Sequence, residues 1–185
     1  MGIRNFVAIK ASFERIRELF NYDFESGYLT WKIKLKHHHK SIQVGSRVGW
    51  IDGDYRRASI DGQQHLEHRI IWFWMTGEDD PTVEIDHKDR DGRNNKWTNL
   101  RQATPAQNQA NKPRGNKPNK FGYKGIGITN SGKYFACISK NGKWTHLGVF
   151  FTPEEAHNKY CEEAKKLYGD YFHNGRNQTN IQTGD

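Results

Sequence analysis

Turn signals break this chain almost as soon as each apolar pattern begins. Ser26-Gly27, Asp52-Gly53-Asp54, Asp61-Gly62, Asn130-Ser131-Gly132 and Asn141-Gly142 punctuate stretches such as YLTWKI, RRASI, KYFACIS and KWTHLGVFF. Asn-Gly and Asp-Gly supply the positive φ that tight hairpin turns require, so the alternating stretches beside them read as short antiparallel strands. With 185 residues, 34% hydrophobic residues and a mean hydropathy of -0.99, any core must be small, and one ordinary domain or two small ones is the expected scale.

Helical signals are few and local. Phe13, Ile16, Leu19 and Phe20 fall at helical spacing within ASFERIRELF. The nearly continuous apolar run HRIIWFWMTG fits a buried strand or a short helix, and a helix is favoured, with Trp72 and Trp74 in the core. Thr104-Pro105 with Gln107, and Thr152-Pro153 with Glu155, each have the spacing of a capping box with proline at the first helical position. The second of these helices places Ala156, Tyr160, Ala164, Leu167 and Tyr168 on one face, which should pack on a three-stranded antiparallel sheet formed by YKGIGI, KYFACIS and KWTHLGVFF. The fold class is therefore α+β. No apolar run approaches the roughly 18 residues of a membrane helix, and Cys137 and Cys161 have neither the number nor the spacing of a disulfide framework or a zinc site. An intracellular protein is expected.

Charge limits the partners. Lysine and arginine total 29 against 21 acids, a net charge of +8 and a pI near 9.4. The excess is concentrated, because no acid occurs from Arg93 to Pro153. A polyanion is the natural partner, and nucleic acid fits best. Residues 112–120, KPRGNKPNK, have the composition of an extended basic linker.

The richest stretch is EIDHKDRDGRNNKWTNLRQATPAQNQAN, residues 84–111. VEID reads as a strand ending at Asp86 and His87, LRQAT as a returning strand, and a short helix should begin at Pro105 and carry Asn108. In a strand, loop, strand, helix unit of this kind, the Asp86 carboxylate and the Asn108 amide oxygen would converge on one cation. Both are hard oxygens, suited to magnesium, manganese or calcium rather than zinc. His87 can then act as general base toward water. Asn99 is suited to bonding the loop backbone and fixing the histidine, an ordinary turn role being the alternative. Asp89 and Asp91 read as turn builders within DGRNN.

IDHKDRDGRNN followed by NLR and QNQAN resembles the HNH endonuclease family, in the phage and intron homing branch where asparagine replaces the last histidine. The resemblance implies a ββα-metal core at about residues 83–111 within a nuclease domain 1–111, preceded by a small β-rich region. It implies that Asp86 and Asn108 hold a divalent metal, magnesium or manganese, that His87 activates water and that Asn99 orders the loop. The YLTWK, DYRRASIDG and HRIIW segments extend the resemblance upstream. There Arg69 is a candidate phosphate contact, a structural ion pair being the alternative.

Residues 121–175 are similar to an AP2 DNA-binding domain, which lays a three-stranded sheet in the major groove with one helix behind it. The matching DNA-facing positions are Lys124, Lys133, Trp144 and His146, while Gly127, Thr129 and Ser139 stand where plant members carry arginine. Residues 176–185 form a polar tail. The resemblances together imply a phage-encoded, site-specific enzyme that hydrolyses phosphodiesters in double-stranded DNA without a small-molecule cofactor, as a monomer or a dimer. The rival expectation is a DNA-binding transcriptional regulator on an inactive nuclease fold. The run His37 to His39, flanked by lysines, is read as a solvated loop.

Overall fold

The computed structural model describes residues 8–37, 40–112, 122–140 and 142–175. The chain divides into two compact units, Met1–Ala103 and Thr104–Asp185. Most of the stretch read as a linker, the whole polar tail, and His38 and His39 of the histidine run lie outside the described residues.

In the first unit, α1 (Phe13–Leu19) starts at Ser12, whose hydroxyl accepts a hydrogen bond from the Arg15 amide. The chain passes directly from α1 into β1 (Phe20–Asp23), which pairs antiparallel with β2 (Tyr28–Trp31). The β1 strand is absent from the sequence reading because its alternation lasts only four residues and merges with the apolar spacing of the helix before it. A small hairpin follows, β3 (Leu35–His37) with β4 (Lys40–Ile42), and then a three-stranded meander of β5 (Trp50–Asp52), β6 (Tyr55–Ile60) and β7 (Gln63–Leu66).

The apolar run is a helix, α2 (Glu67–Thr76), ended by Gly77 in the left-handed conformation. Its Ile70 and Ile71 are fully buried with Ile16, Leu19, Phe20 and Leu29, each such side chain contributing roughly 1.5–3 kcal/mol of apolar burial. Trp72 and Trp74 pack on the flank of this core rather than inside it, and the Trp74 indole donates to the Phe20 carbonyl at 3.1 Å. Beyond α2, β8 (Glu84–His87) and β9 (Leu100–Ala103) form an antiparallel pair, with Asp86 opposite Arg101 and His87 opposite Leu100. Residues 88–99 join them and end in a 3-10 turn, Trp97–Asn99.

The second unit opens with α3 (Pro105–Asn111), whose capping box is formed on both sides: Thr104 accepts from the Gln107 amide, and the Gln107 side chain accepts from the Thr104 amide. Three strands, β10 (Ile126–Ile128), β11 (Tyr134–Lys140) and β12 (Lys143–Phe150), lie in that order in an antiparallel sheet with a bulge at Ala136 and Cys137. The helix α4 (Pro153–Tyr168) has the second complete capping box. It buries Ala156, Tyr160 and Ala164 against Ile126, Ala136 and Ile138. Gly125, at φ 73°, lies under the Tyr160 ring, where any Cβ would collide with it, so helix and sheet approach closely at that point. The opposite face of α4 is polar and carries Lys159 and Lys166 paired with Glu162 and Glu163.

Candidate functional site

Asp86 and His87 occupy the last two positions of β8 and are both buried. Successive strand residues face opposite ways, so the two side chains enter different environments. The His87 ring lies edge-on to His68 at a centroid distance of 4.9 Å and within 6.1 Å of Tyr55. Its Nε2 is 2.9 Å from Asn95 Oδ1. Asn95, only 1% exposed, donates from its Nδ2 to Glu67 Oε2 at 2.9 Å. Glu67 is completely buried at the start of α2, and the guanidiniums of Arg56 and Arg47 stand 3.0 and 3.6 Å from the same Oε2. Burial pushes the Glu67 carboxyl above its usual pKa, and the two arginines pull against that shift. His68 is held well below the ordinary histidine value, first by burial and then by the neighbouring His87 and Arg69 charges.

The 88–99 loop is internally clamped. Asn99 donates from its Nδ2 to Asp89 Oδ1 at 2.9 Å and to the Asn94 carbonyl at 2.7 Å, while its Oδ1 accepts from the Asp89 amide at 3.0 Å. Asp89 also accepts from the Asp91 amide and from Asn94. Burial opposes the Asp89 carboxylate, but these donors together hold its pKa below the usual range. Gly92 meets the β5–β6 turn so closely that a Cβ would overlap the Asp54 carbonyl and the Tyr55 ring, and Arg93 donates to the Gly53 carbonyl at 2.8 Å. The loop is therefore fixed at its centre as well as at its ends.

Asp86 is gripped across the hairpin by Arg101, whose Nε and Nη2 both lie 2.8 Å from Oδ2. Among the described residues, no three His, Cys, Asp or Glu side chains cluster as a metal site. One carboxylate with amide oxygen and water suits magnesium or manganese, which bind through one or two carboxylates and retain several waters. Asn108 lies on α3, in the second compact unit.

Two of the residues expected to contact DNA, Arg69 and Lys124, are buried and bonded internally. Arg69 is 5% exposed, forms an ion pair with Asp79 and donates to the Val83 and Asp80 carbonyls at 2.8 and 2.9 Å. It ties α2 to the segment entering β8 and presents no guanidinium to a phosphate. Lys124 is 9% exposed, and its ammonium donates to the carbonyls of Ala110, Lys112 and His173 at 2.8, 2.7 and 3.0 Å. Alternation along a strand did not reveal this, because Lys124 precedes β10 in a turn.

The other three expected contacts are exposed on the sheet face opposite α4. Register pairs His146 with Cys137 and Trp144 with Ser139, and Trp144 is 71% exposed. The His146 ring stacks on Phe135, and the Lys133 ammonium sits 4.7 Å from the centre of the Phe151 ring. Phe135 also lies over Gly127, so a Cβ at position 127 would collide with its ring. That close approach explains why a long side chain is missing there.

Residues 65–110 match the HNH endonuclease family. The matched segment contains Glu67, Asp86, His87, Asn95, Asn99 and Asn108. The chain is also similar to an uncharacterised HNH endonuclease of Acanthamoeba polyphaga mimivirus, at 33% identity over 110 residues, which is 60% of this chain and 56% of that protein. The chain thus spans little more than half the length of that relative. No solved structure matches the chain. The HNH segment covers the β8–β9 hairpin and its loop, and also α2, whose first turn supplies Glu67 and His68 to the same cluster. Sequence reasoning missed Glu67, Asn95 and Arg101. Two adjacent asparagines in DGRNN gave no sign that Asn94, half-buried, would bond Asp89 within the loop while Asn95 turned to the interior.

Proposed function

We propose that the chain is a metal-dependent DNA endonuclease that hydrolyses phosphodiester bonds. The observation that carries the reading is the pairing, within the HNH segment, of a buried carboxylate with a buried, hydrogen-bonded imidazole at the end of one strand. His87 would take a proton from the attacking water, and Asn99 would keep the 88–99 loop in the shape that presents it. Asp86 would hold the metal, with Asn108 in the second ligand position by its place in the motif. When bound, a divalent ion stabilises charge on the phosphate and leaving oxygen. A single centre of this kind acts on one strand, so nicking is the expected product.

Recognition would fall to the sheet face carrying Lys133, Phe135, Trp144 and His146. Exposed aromatic rings beside cations suit sugar, base and phosphate surfaces together. A catalyst joined to a separate DNA-reading surface gains local concentration at one site, the economy that suits a homing enzyme. The test is supercoiled plasmid incubated with magnesium or manganese, with and without EDTA. Open-circular product that requires metal supports the reading, and intact plasmid in every lane, on DNA carrying a site selected by the protein, refutes it.

A further inference from the structure

A buried row of hydrogen bonds runs from His87 through Asn95 to Glu67. We infer that Glu67 and Asn95 are positioning residues that lock His87 in the tautomer with its proton on Nε2, leaving the Nδ1 lone pair as the base. This rests on the endonuclease reading above only where it concerns cleavage.

The direction of each hydrogen bond follows from the far end of the row. Arg56 and Arg47 converge on Glu67 Oε2 and favour the carboxylate form. A carboxylate can only accept, so Asn95 must turn its NH2 group toward Glu67, 2.9 Å away. The Asn95 amide then offers only its oxygen to His87 Nε2, also at 2.9 Å. An oxygen on that side requires Nε2 to donate. In the neutral ring one nitrogen carries the proton and the other the lone pair, so the lone pair is on Nδ1.

Asn95 is itself held from behind, which makes the row a fixed device. The Tyr22 hydroxyl donates to the Asn95 carbonyl at 2.9 Å. Gly27, at φ 73°, packs its backbone against the Asn95–Lys96 peptide so closely that a Cβ would overlap it. Exchanging the amide's oxygen and nitrogen would set Asn95 Oδ1 against Glu67 Oε2, two acceptors facing each other in the interior. Orientation of a general base through its second nitrogen is a recurrent requirement of imidazole catalysis, and the wrong tautomer removes the base altogether.

The experiment is nitrogen-15 NMR of the imidazole groups in the full chain, with His87 assigned by its absence in His87→Ala. Wild-type protein should show His87 protonated at Nε2 in the metal-free state. Asn95→Leu and the volume-conserving Glu67→Gln should admit the Nδ1-protonated form and lower kcat for plasmid cleavage about 10²-fold or more, with KM for DNA unchanged. Should Asn95→Leu fail to fold, the wild-type spectrum and Glu67→Gln decide the matter. A wild-type His87 protonated at Nδ1 overturns the inference, as does a Glu67→Gln protein whose spectrum and kcat both match wild type. An Nε2-protonated His87 that responds to both substitutions, in a protein that cuts no DNA, upholds the relay and refutes the endonuclease reading instead.

Discussion

Arg101 holds one oxygen of Asp86 with two nitrogens, each at 2.8 Å, from the facing position of the β8–β9 pair. The carboxylate proposed to bind a cation is thus already neutralised by a fixed one. Removing the guanidinium from a buried carboxylate costs about 3–5 kcal/mol, so Arg101→Leu should melt well below wild type in EDTA. Millimolar magnesium should recover part of that loss, because ligand binding to the folded state adds stability. Thermal melts with and without magnesium check this, and the Asp86→Asn, Arg101→Leu double variant should show no recovery.

Arg69 belongs to the scaffold. Its ion pair with Asp79 and its bonds to Val83 and Asp80 are internal to the first unit. Arg69→Met should cost about 3 kcal/mol or more in denaturant unfolding, by leaving Asp79 buried without its partner. DNA affinity of the folded variant should have the wild-type salt dependence.

Lys124 and Lys133 should behave in opposite ways. Lys124→Met strands three carbonyls and should destabilise the chain by about 2–3 kcal/mol while leaving the salt slope of DNA binding intact. Lys133→Ala should leave stability within about 0.5 kcal/mol and reduce that slope by about one, and Trp144→Ala should weaken binding at every salt concentration. Titrations at several salt concentrations beside unfolding curves separate the two sets.

His68 sets a pH dependence of stability. Its folded-state pKa is depressed below 6.5, so the unfolded chain binds the extra proton first as pH falls. Stability from this group is complete above about pH 6.5 and declines below it, by up to about 1.4 kcal/mol per pH unit, until the folded-state pKa is reached. Urea unfolding at a series of pH values should show a steeper acid-side loss for wild type than for His68→Phe.

The fold was legible where the instructions are local. Both capping boxes and the hairpin turn of the second sheet are written in residues a few positions apart, and the strand pair around the 88–99 loop in the two short stretches that flank it. The burial of Ala136, Ile138 and α4 likewise follows from simple periodicity. What could not be read is what depends on distant partners. Glu67, 28 residues before Asn95, looks like an ordinary acid opening a helix until Arg47 and Arg56 are brought beside it. Lys124 looks like a surface cation until α3 and the segment after α4 turn their carbonyls toward it. A chain's pattern does not show which polar groups the fold must satisfy internally, so Glu67 drew no reading and Lys124 was read as DNA-facing.

His87 is proposed as the base of a metal-dependent nuclease. The most direct test of that role is single-turnover cleavage of supercoiled plasmid by wild type and His87→Ala at equal DNA occupancy, in magnesium and in EDTA. Wild type should give open-circular product in magnesium alone, and the variant should lose about 10²-fold or more of that rate with DNA binding retained. Equal cleavage by the two proteins, or cleavage that persists in EDTA, would contradict that role.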